Sequence, residues 1–153
     1  MRRWSFRSSA QRERGSASLE FLTVGMILLV PLVYLVLVMS ALQAGALAAE
    51  GAARQAARAF VLAESDAAGQ SAAARALCVT LDDYGLAQGD SELVVDCSAG
   101  AGACLARGEI VTVHVRIAVG LPFVPDVLEL QSRASVPMEA ASTQRVSKFW
   151  GGG

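Results

Sequence analysis

The positions of apolar residues along the chain separate one long helix from a smaller patterned region. Residues 21–49 contain no Asp, Glu, Lys, Arg or His, and the 22 residues from 21 to 42 are the most apolar part. A helix of that length is roughly 33 Å long, which is enough to cross a bilayer with some tilt. We therefore predict one membrane-spanning helix over residues 21–42 within a longer helix over residues 16–63, whose outer part forms an extracytoplasmic stem.

Shorter segments after the stem follow helix and strand periodicities. Residues 64–72 break the apolar pattern and are expected to form a loop, and a short helix is predicted over residues 71–81. Pro137 predicts an edge position or an early stop for the last strand. The fold class is therefore α+β, with a long N-terminal helix, a short helix and a small three-stranded antiparallel sheet. Alternation with a period of two predicts the three strands over residues 92–97, 109–119 and 128–138.

Composition and charge give this layout an orientation. The chain has 153 residues, of which 54% are hydrophobic, and residues 1–14 contain five Arg and one Glu, whereas twelve acids and eight bases follow from residue 50 onward. Arginines beside a span stay on the cytoplasmic side. We expect a cytoplasmic basic leader over residues 1–15, an extracytoplasmic head over residues 64–148 and a flexible tail over residues 149–153. The acidic outer part argues against a nucleic-acid partner.

The entrance to the apolar run carries an acidic residue. Glu20 is followed at once by Phe21, although a carboxylate that enters hydrocarbon costs about 2.5 kcal/mol or more. One interpretation is helix-start chemistry, with Ser16 or Ser18 as the cap and Glu20 near the positive end of the helix. The other interpretation supplies a cation inside the membrane. Cleavage after Gly15 would create an amine on Ser16, and Glu20 would become the fifth residue of the mature chain.

The order Gly, small residue, three residues, Glu and Phe before a long apolar helix resembles the prepilin-peptidase site of type IV pilin-like proteins. The chain resembles, more narrowly, the TadE-like minor pseudopilins of the tight-adherence (Tad, or Flp) pilus machinery. The resembling residues are Gly15, Ser16, Glu20 and Phe21, together with the Ala-rich run over residues 43–58. This resemblance implies that a membrane aspartyl peptidase cuts after Gly15. It also implies that Glu20 neutralises an N-terminal amine during assembly. The implied partners are other pilins or pseudopilins, the prepilin peptidase, the inner-membrane assembly platform and the lipid bilayer.

Small residues recur at every fourth position of the stem. Gly45, Ala49, Ala53 and Ala57 form one such row, and a second row of alanines lies beside it. Alanine is a good helix former, but two adjacent rows of small residues also let another element approach the helix backbone closely. We therefore predict a packing surface. Its partner is either the head of the same chain or another subunit.

Three cysteines lie in the part of the chain placed outside the membrane, where disulfides form. Cys97 and Cys104 flank a short Gly/Ala-rich loop and are predicted to form a disulfide, which leaves Cys78 as a small apolar residue. A bond between Cys78 and Cys97 is the rival pairing. The spacing fits no zinc pattern and the chain has one His, so we expect no metal and no cofactor.

The sequence offers little for catalysis. There is no Gly-rich phosphate loop and no Ser nucleophile elbow, and His114 lies on the polar side of a predicted strand. We therefore expect a protein of the cytoplasmic membrane that is not an enzyme. The leading hypothesis is a pilin-like subunit that acts in pilus assembly or secretion after cleavage at Gly15. The alternative is an uncleaved single-pass envelope protein whose head binds a partner.

Overall fold

A computed structural model of the protein describes residues 13–86, 89, 91–98, 104–123 and 134–151, with residues 13–17 described by their backbone alone. It has two compact units, Met1–Leu37 and Val38–Gly153. Among the described residues, two helices precede three strands, which confirms the predicted α+β layout. The elements are α1 (Glu13–Val61), α2 (Asp66–Asp83), β1 (Ser91–Cys97), β2 (Ile110–Gly120) and β3 (Ser135–Arg145).

The first unit contains the N-terminal part of α1. Every residue from Ser18 to Leu37 is exposed, including the Leu, Ile, Val and Met side chains of the apolar run. Pro31 lies inside the helix without ending it, which helices in lipid tolerate. So large an exposed apolar surface is rare on soluble monomers. This part of α1 therefore needs lipid or partner helices around it.

The second unit is built on a three-stranded antiparallel sheet in the order β1-β2-β3. The central strand β2 pairs with both neighbours, for example through Val115, which lies opposite Leu93 on β1 and Ala140 on β3. Alternate residues of β2 face the core, as the period of two predicted. The core residues of β2 are Val111, Val113, Val115, Ile117 and Val119, each at most 2% exposed.

The C-terminal part of α1 forms the other wall of this core. Its buried side is made almost entirely of alanine, and Phe60 closes the core at the end of the helix. At Gly45 the helix backbone lies so close to Val119 that an added Cβ would overlap the Cγ2 methyl and lie 3.3 Å from the Cβ of Val119. The small residues therefore let the helix rest directly on the sheet.

Helix α2 begins earlier than the sequence indicated. A loop was expected over residues 64–72, but α2 starts at Asp66, and the side chain of Ser65 accepts a hydrogen bond from the Ala68 amide. The loop prediction is therefore wrong beyond Ser65. This segment includes Gly69, a residue type that usually weakens a helix. Here Gly69 packs against the Phe60 ring. A Cβ at this position would lie 2.9 Å from that ring, so the close packing requires glycine.

Strand β3 also differs from its prediction. It runs from Ser135 to Arg145, so the expected end at Met138 is wrong, and the predicted residues 128–133 lie outside the described chain. Pro137 marks an edge strand, as expected, because β3 has a neighbour on one side only. The pattern was weak because small and polar residues, rather than Val or Ile, continue the alternation after Met138.

The C-terminal residues belong to the head up to Trp150. The Trp150 indole N–H donates a hydrogen bond to the Ala63 carbonyl at 3.0 Å, and the Arg107 Nε donates to the Trp150 carbonyl at 2.8 Å. Trp150 also packs against the core. The assignment of residues 149–153 to a flexible tail is therefore wrong for Trp150, because its ring has both a polar and an apolar partner.

We predict that Gly45→Ala lowers the free energy of unfolding of the head by about 1–2 kcal/mol. The new methyl group would overlap Val119, and this overpacking outweighs the gain in helix propensity. The measurement is thermal or denaturant unfolding of the full chain in detergent micelles, followed by Trp150 fluorescence.

Gly51→Ala is the matched control on the same helix. A Cβ there would make an ordinary 3.6 Å contact with Thr80, so this variant should gain up to about 1 kcal/mol in stability. Adding Val119→Ala to Gly45→Ala should recover part of the loss. Equal stabilisation by both glycine substitutions would contradict the close approach at Gly45.

Candidate functional site

The entrance to the apolar segment lies well inside α1. The described part of α1 begins at Glu13, so Ser16 and Ser18 are helical residues and Glu20 lies at least seven residues beyond the helix start. The interpretation of Ser16 or Ser18 as the N-terminal cap is therefore wrong. The field of the helix dipole falls off within the first turn. It gives little stabilisation to a carboxylate at position 20.

Glu20 and Phe21 lie on an uncovered part of the helix. Both residues are exposed, and Phe21 is 78% exposed. The neighbouring hydroxyl of Thr23 donates to the Leu19 carbonyl at 2.8 Å, which satisfies it within the helix as lipid requires. The Glu20 carboxylate is therefore the group at this entrance whose accommodation in an apolar environment needs a cation.

The row of small residues predicted for helix packing contacts the head of the same chain. Ala49, Ala53 and Ala57 are at most 1% exposed and belong to the core, and Gly45 lies against Val119. The sequence left two possible partners for this row. In the described structure its partner is the head of the same chain. The row is thus unavailable to another subunit while the head is folded.

The opposite side of the stem is polar. Arg54 and Glu50 form an ion pair one turn apart, with 2.8 Å between Nη2 and Oε2. Both side chains are more than half exposed, so the pair contributes little to stability. Gln55 and Arg58 are also exposed. The stem therefore has one side packed against the head and one side suited to water.

A disulfide joins β1 to the loop before β2, and an acidic residue joins that loop to α2. Cys97 at the end of β1 is bonded to Cys104, with 5.2 Å between their Cα atoms. The two carboxylate oxygens of Asp66 accept hydrogen bonds from the backbone amides of Cys104 and Leu105, each at 3.2 Å. Since Asp66 is the first residue of α2, it joins this helix to the disulfide loop.

Sequence reasoning missed the role of Asp66. The available signal was the pair Ser65-Asp66, because a cap residue followed by an acid is a common helix start. Asp66 contacts Cys104 and Leu105, which lie 38 and 39 positions further along the chain. Contacts over such a separation have no local sequence signature. Cys78, the third cysteine, lies half-buried on α2 and takes no part in the disulfide.

The outer face of the sheet carries cross-strand polar pairs rather than a catalytic arrangement. Arg116 Nε donates to Glu139 Oε1 at 2.6 Å, and His114 Nε2 lies 3.4 Å from Asp96 Oδ2. These side chains are more than half exposed, and the register of the sheet accounts for the first pair. Within the described residues, no group of three or more His, Cys, Asp and Glu is placed to hold a metal ion.

Comparisons with protein-family models, curated proteins and solved structures find no match to this chain. The functional assignment therefore depends on the residues themselves. Among the described residues, one helix is long and apolar enough to cross a membrane, and its most apolar window is fully exposed. The fold is thus compatible with a single-pass membrane protein that has a folded head.

We predict that peptide mapping without reduction finds Cys97 linked to Cys104 in the protein extracted from cells. Cys78→Ser should keep this bond, because Cys78 is not part of it. Replacing both Cys97 and Cys104 by Ser should lower the stability of the head by about 2 kcal/mol, as expected for a short closed loop. A linked pair of Cys78 and Cys97 would contradict this arrangement.

Proposed function

We propose that this protein is a pilin-like, single-pass membrane protein that acts in tight-adherence pilus assembly or secretion and is matured by cleavage after Gly15. The observation that carries the proposal is the position of Glu20. This acidic residue lies at least seven residues inside a helix, at the edge of an exposed apolar segment. A helix start does not account for it, whereas a nearby amine does.

Cleavage after Gly15 places such an amine in reach. Residues four apart lie on the same face of a helix, with their Cβ atoms about 5–6 Å apart. The new amine of Ser16 and the carboxylate of Glu20 are related in this way. The same carboxylate can also meet the amine of a neighbouring subunit. In either case the charge that lipid disfavours gains a counterion.

The helix at the cleavage site is easy to open. Gly15 lies within the described part of α1. Glycine costs about 1 kcal/mol relative to alanine inside a helix. A peptidase at the cytoplasmic face therefore meets a segment that unwinds at little cost.

The two units of the chain suit different surroundings. The segment from Ser18 to Leu37 is exposed and apolar, which suits lipid and the apolar helices of other pilins or pseudopilins. The head has a disulfide, which suits the oxidising side of the membrane. The arginines of residues 1–14 favour a cytoplasmic N-terminus. Together these features support a subunit anchored in the cytoplasmic membrane and recognised by a prepilin peptidase and an assembly platform.

We predict that the mature chain begins at Ser16. Intact mass and N-terminal sequencing of the membrane-extracted protein, produced together with its prepilin peptidase, should show the loss of residues 1–15. Gly15→Val should leave the precursor uncut because the peptidase requires a small residue at the cut. Gly25→Val, which changes a glycine with open space around it, should be cut normally.

A mature chain that keeps Met1 in the presence of the peptidase would contradict the proposed maturation. The uncleaved single-pass envelope protein would then be the better interpretation. Its head would remain anchored as described, but Glu20 would have no amine to neutralise.

We predict that Glu20→Ala and Glu20→Gln are inserted into the membrane and cut, yet lose crosslinks to pilin-like partners. Insertion should not suffer, because both substitutions remove a charge that lipid disfavours. Assembly should suffer because the Ser16 amine would be left uncompensated, at a cost of about 3–5 kcal/mol when buried. The measurement is site-specific crosslinking within residues 22–37, with processing followed on the same samples.

Glu50→Gln is the matched control. It removes an acidic residue from the same helix, but Glu50 is exposed and paired with Arg54. This variant should crosslink as the unchanged protein does. Normal crosslinking by both Glu20 variants while Gly15 is still cut would remove charge neutralisation from the mechanism.

A further inference from the structure

The two ends of the head differ in charge. At the end where β2 finishes, Ile117–Gly120 pairs with Ser135–Met138, and neither segment has a charged residue. The chain continues without charge from Leu121 to Pro125. At the other end of the same ladder, Ile110 pairs with Arg145, and Arg107 contacts the Trp150 carbonyl. The last four residue pairs of this ladder are therefore uncharged, and the Arg116–Glu139 ion pair lies directly before them.

The uncharged end lies beside the last turns of the apolar segment. Val119 packs against Gly45, whereas the start of β2 lies beside the disulfide, and Trp150 binds Ala63 beyond the end of α1. Strand β2 therefore runs toward lower residue numbers of α1. On the same side of the helix as Gly45, Leu42, Ala41 and Val38 are partly buried. The head thus reaches helix residues that belong to the apolar run.

The connection after β2 presents a phenylalanine at this end. Pro122 and Phe123 form a turn, and Phe123 has φ 63° and is 80% exposed. A positive φ is a backbone outlier for a bulky side chain, and glycine is the residue that suits it. Within the part of the chain that the structure describes, neither packing nor turn propensity explains the aromatic ring. Such outliers are most often retained where they serve a function.

We propose that the Leu121–Phe123 turn is a second membrane contact, which inserts the Phe123 ring into the interfacial region of the bilayer beside the helix. This inference rests on the proposed membrane insertion of α1. From Leu42 back to Val38 the helix covers roughly 6 Å, which lies within the depth that interfacial apolar groups reach. An uncharged surface loses little hydration when it meets lipid. The contact would hold the head against the membrane surface.

The test places a nitroxide label at residue 123 of the full chain in vesicles of phosphatidylethanolamine and phosphatidylglycerol. Phe123→Cys is made together with Cys78→Ser, and labelling without reductant leaves the Cys97–Cys104 bond intact. Relaxation by oxygen, which dissolves in lipid, is compared with relaxation by a water-soluble nickel chelate. Phe149→Cys is the matched control, because Phe149 is an equally exposed phenylalanine, at 82%, near the charged end of the head. Leu29→Cys reports on the span itself.

The ratio of oxygen to nickel accessibility should be severalfold higher at residue 123 than at residue 149, and lower than at residue 29. A ratio at residue 123 equal to that at residue 149 would overturn the membrane contact while leaving the span intact. Protection of residue 123 from both reagents would also overturn it, because protein rather than lipid would then cover the ring. A water-accessible label at residue 29 would instead overturn the insertion of α1, on which the inference rests.

Discussion

The close approach of the sheet to α1 is the contact on which the head depends. A small residue at every third or fourth position leaves the helix backbone open on one side, and Val119 rests directly against Gly45 there. The valines of β2 supply the volume that the alanines lack. Dense packing of this kind tolerates changes of volume poorly in either direction. The stem is therefore a component of the head's core as well as a spacer.

The same helix serves two environments because its side chains change along its length. From Leu19 to Leu37 most of the described residues are large, apolar and exposed, which suits an apolar environment. From Glu50 onward one side is small and buried, and the other side carries Glu50, Arg54 and Arg58. Water suits this second part. The change in side-chain chemistry marks where the membrane can end and where the head begins.

The strongest sequence signals gave correct elements. The alternation in β2 uses β-branched residues on every inward position, and its burial follows the prediction residue by residue. The predicted end of β3 came too early because Ala, Ser and Thr continue its pattern and are compatible with many structures. The start of α2 was missed because residues 64–72 do not continue the apolar pattern. Gly69 is required in α2 because the Phe60 ring leaves no room for a Cβ. This is a contact between two elements, and local helix propensity does not report it.

The candidate site was predictable in its composition but only partly in its setting. Glu20 could be selected because an acid at the edge of an apolar run is costly, whereas Gly15, Ser16 and Phe21 come from the resemblance to prepilin-peptidase sites and stay a prediction. The extent of the helix before Glu20 was not evident, because the preceding residues are polar and have no strong periodicity. The bonds of Asp66 to Cys104 and Leu105, and of Trp150 to Ala63, join distant segments. Such tertiary contacts leave no local pattern.

Covering the small-residue rows with the chain's own head limits how subunits can associate. Those rows would otherwise be the natural surface for helix–helix contacts in a membrane. With Gly45 to Ala57 covered, the part of α1 left free for other subunits is the exposed segment from Ser18 to Leu37, together with the polar side of the stem. In lipid, van der Waals contact alone gives weak selectivity between apolar helices, whereas an ion pair fixes both partner and register. In the assembly proposed above, a charged group at the entrance of that segment is where specificity is most readily encoded, and Glu20 occupies this position.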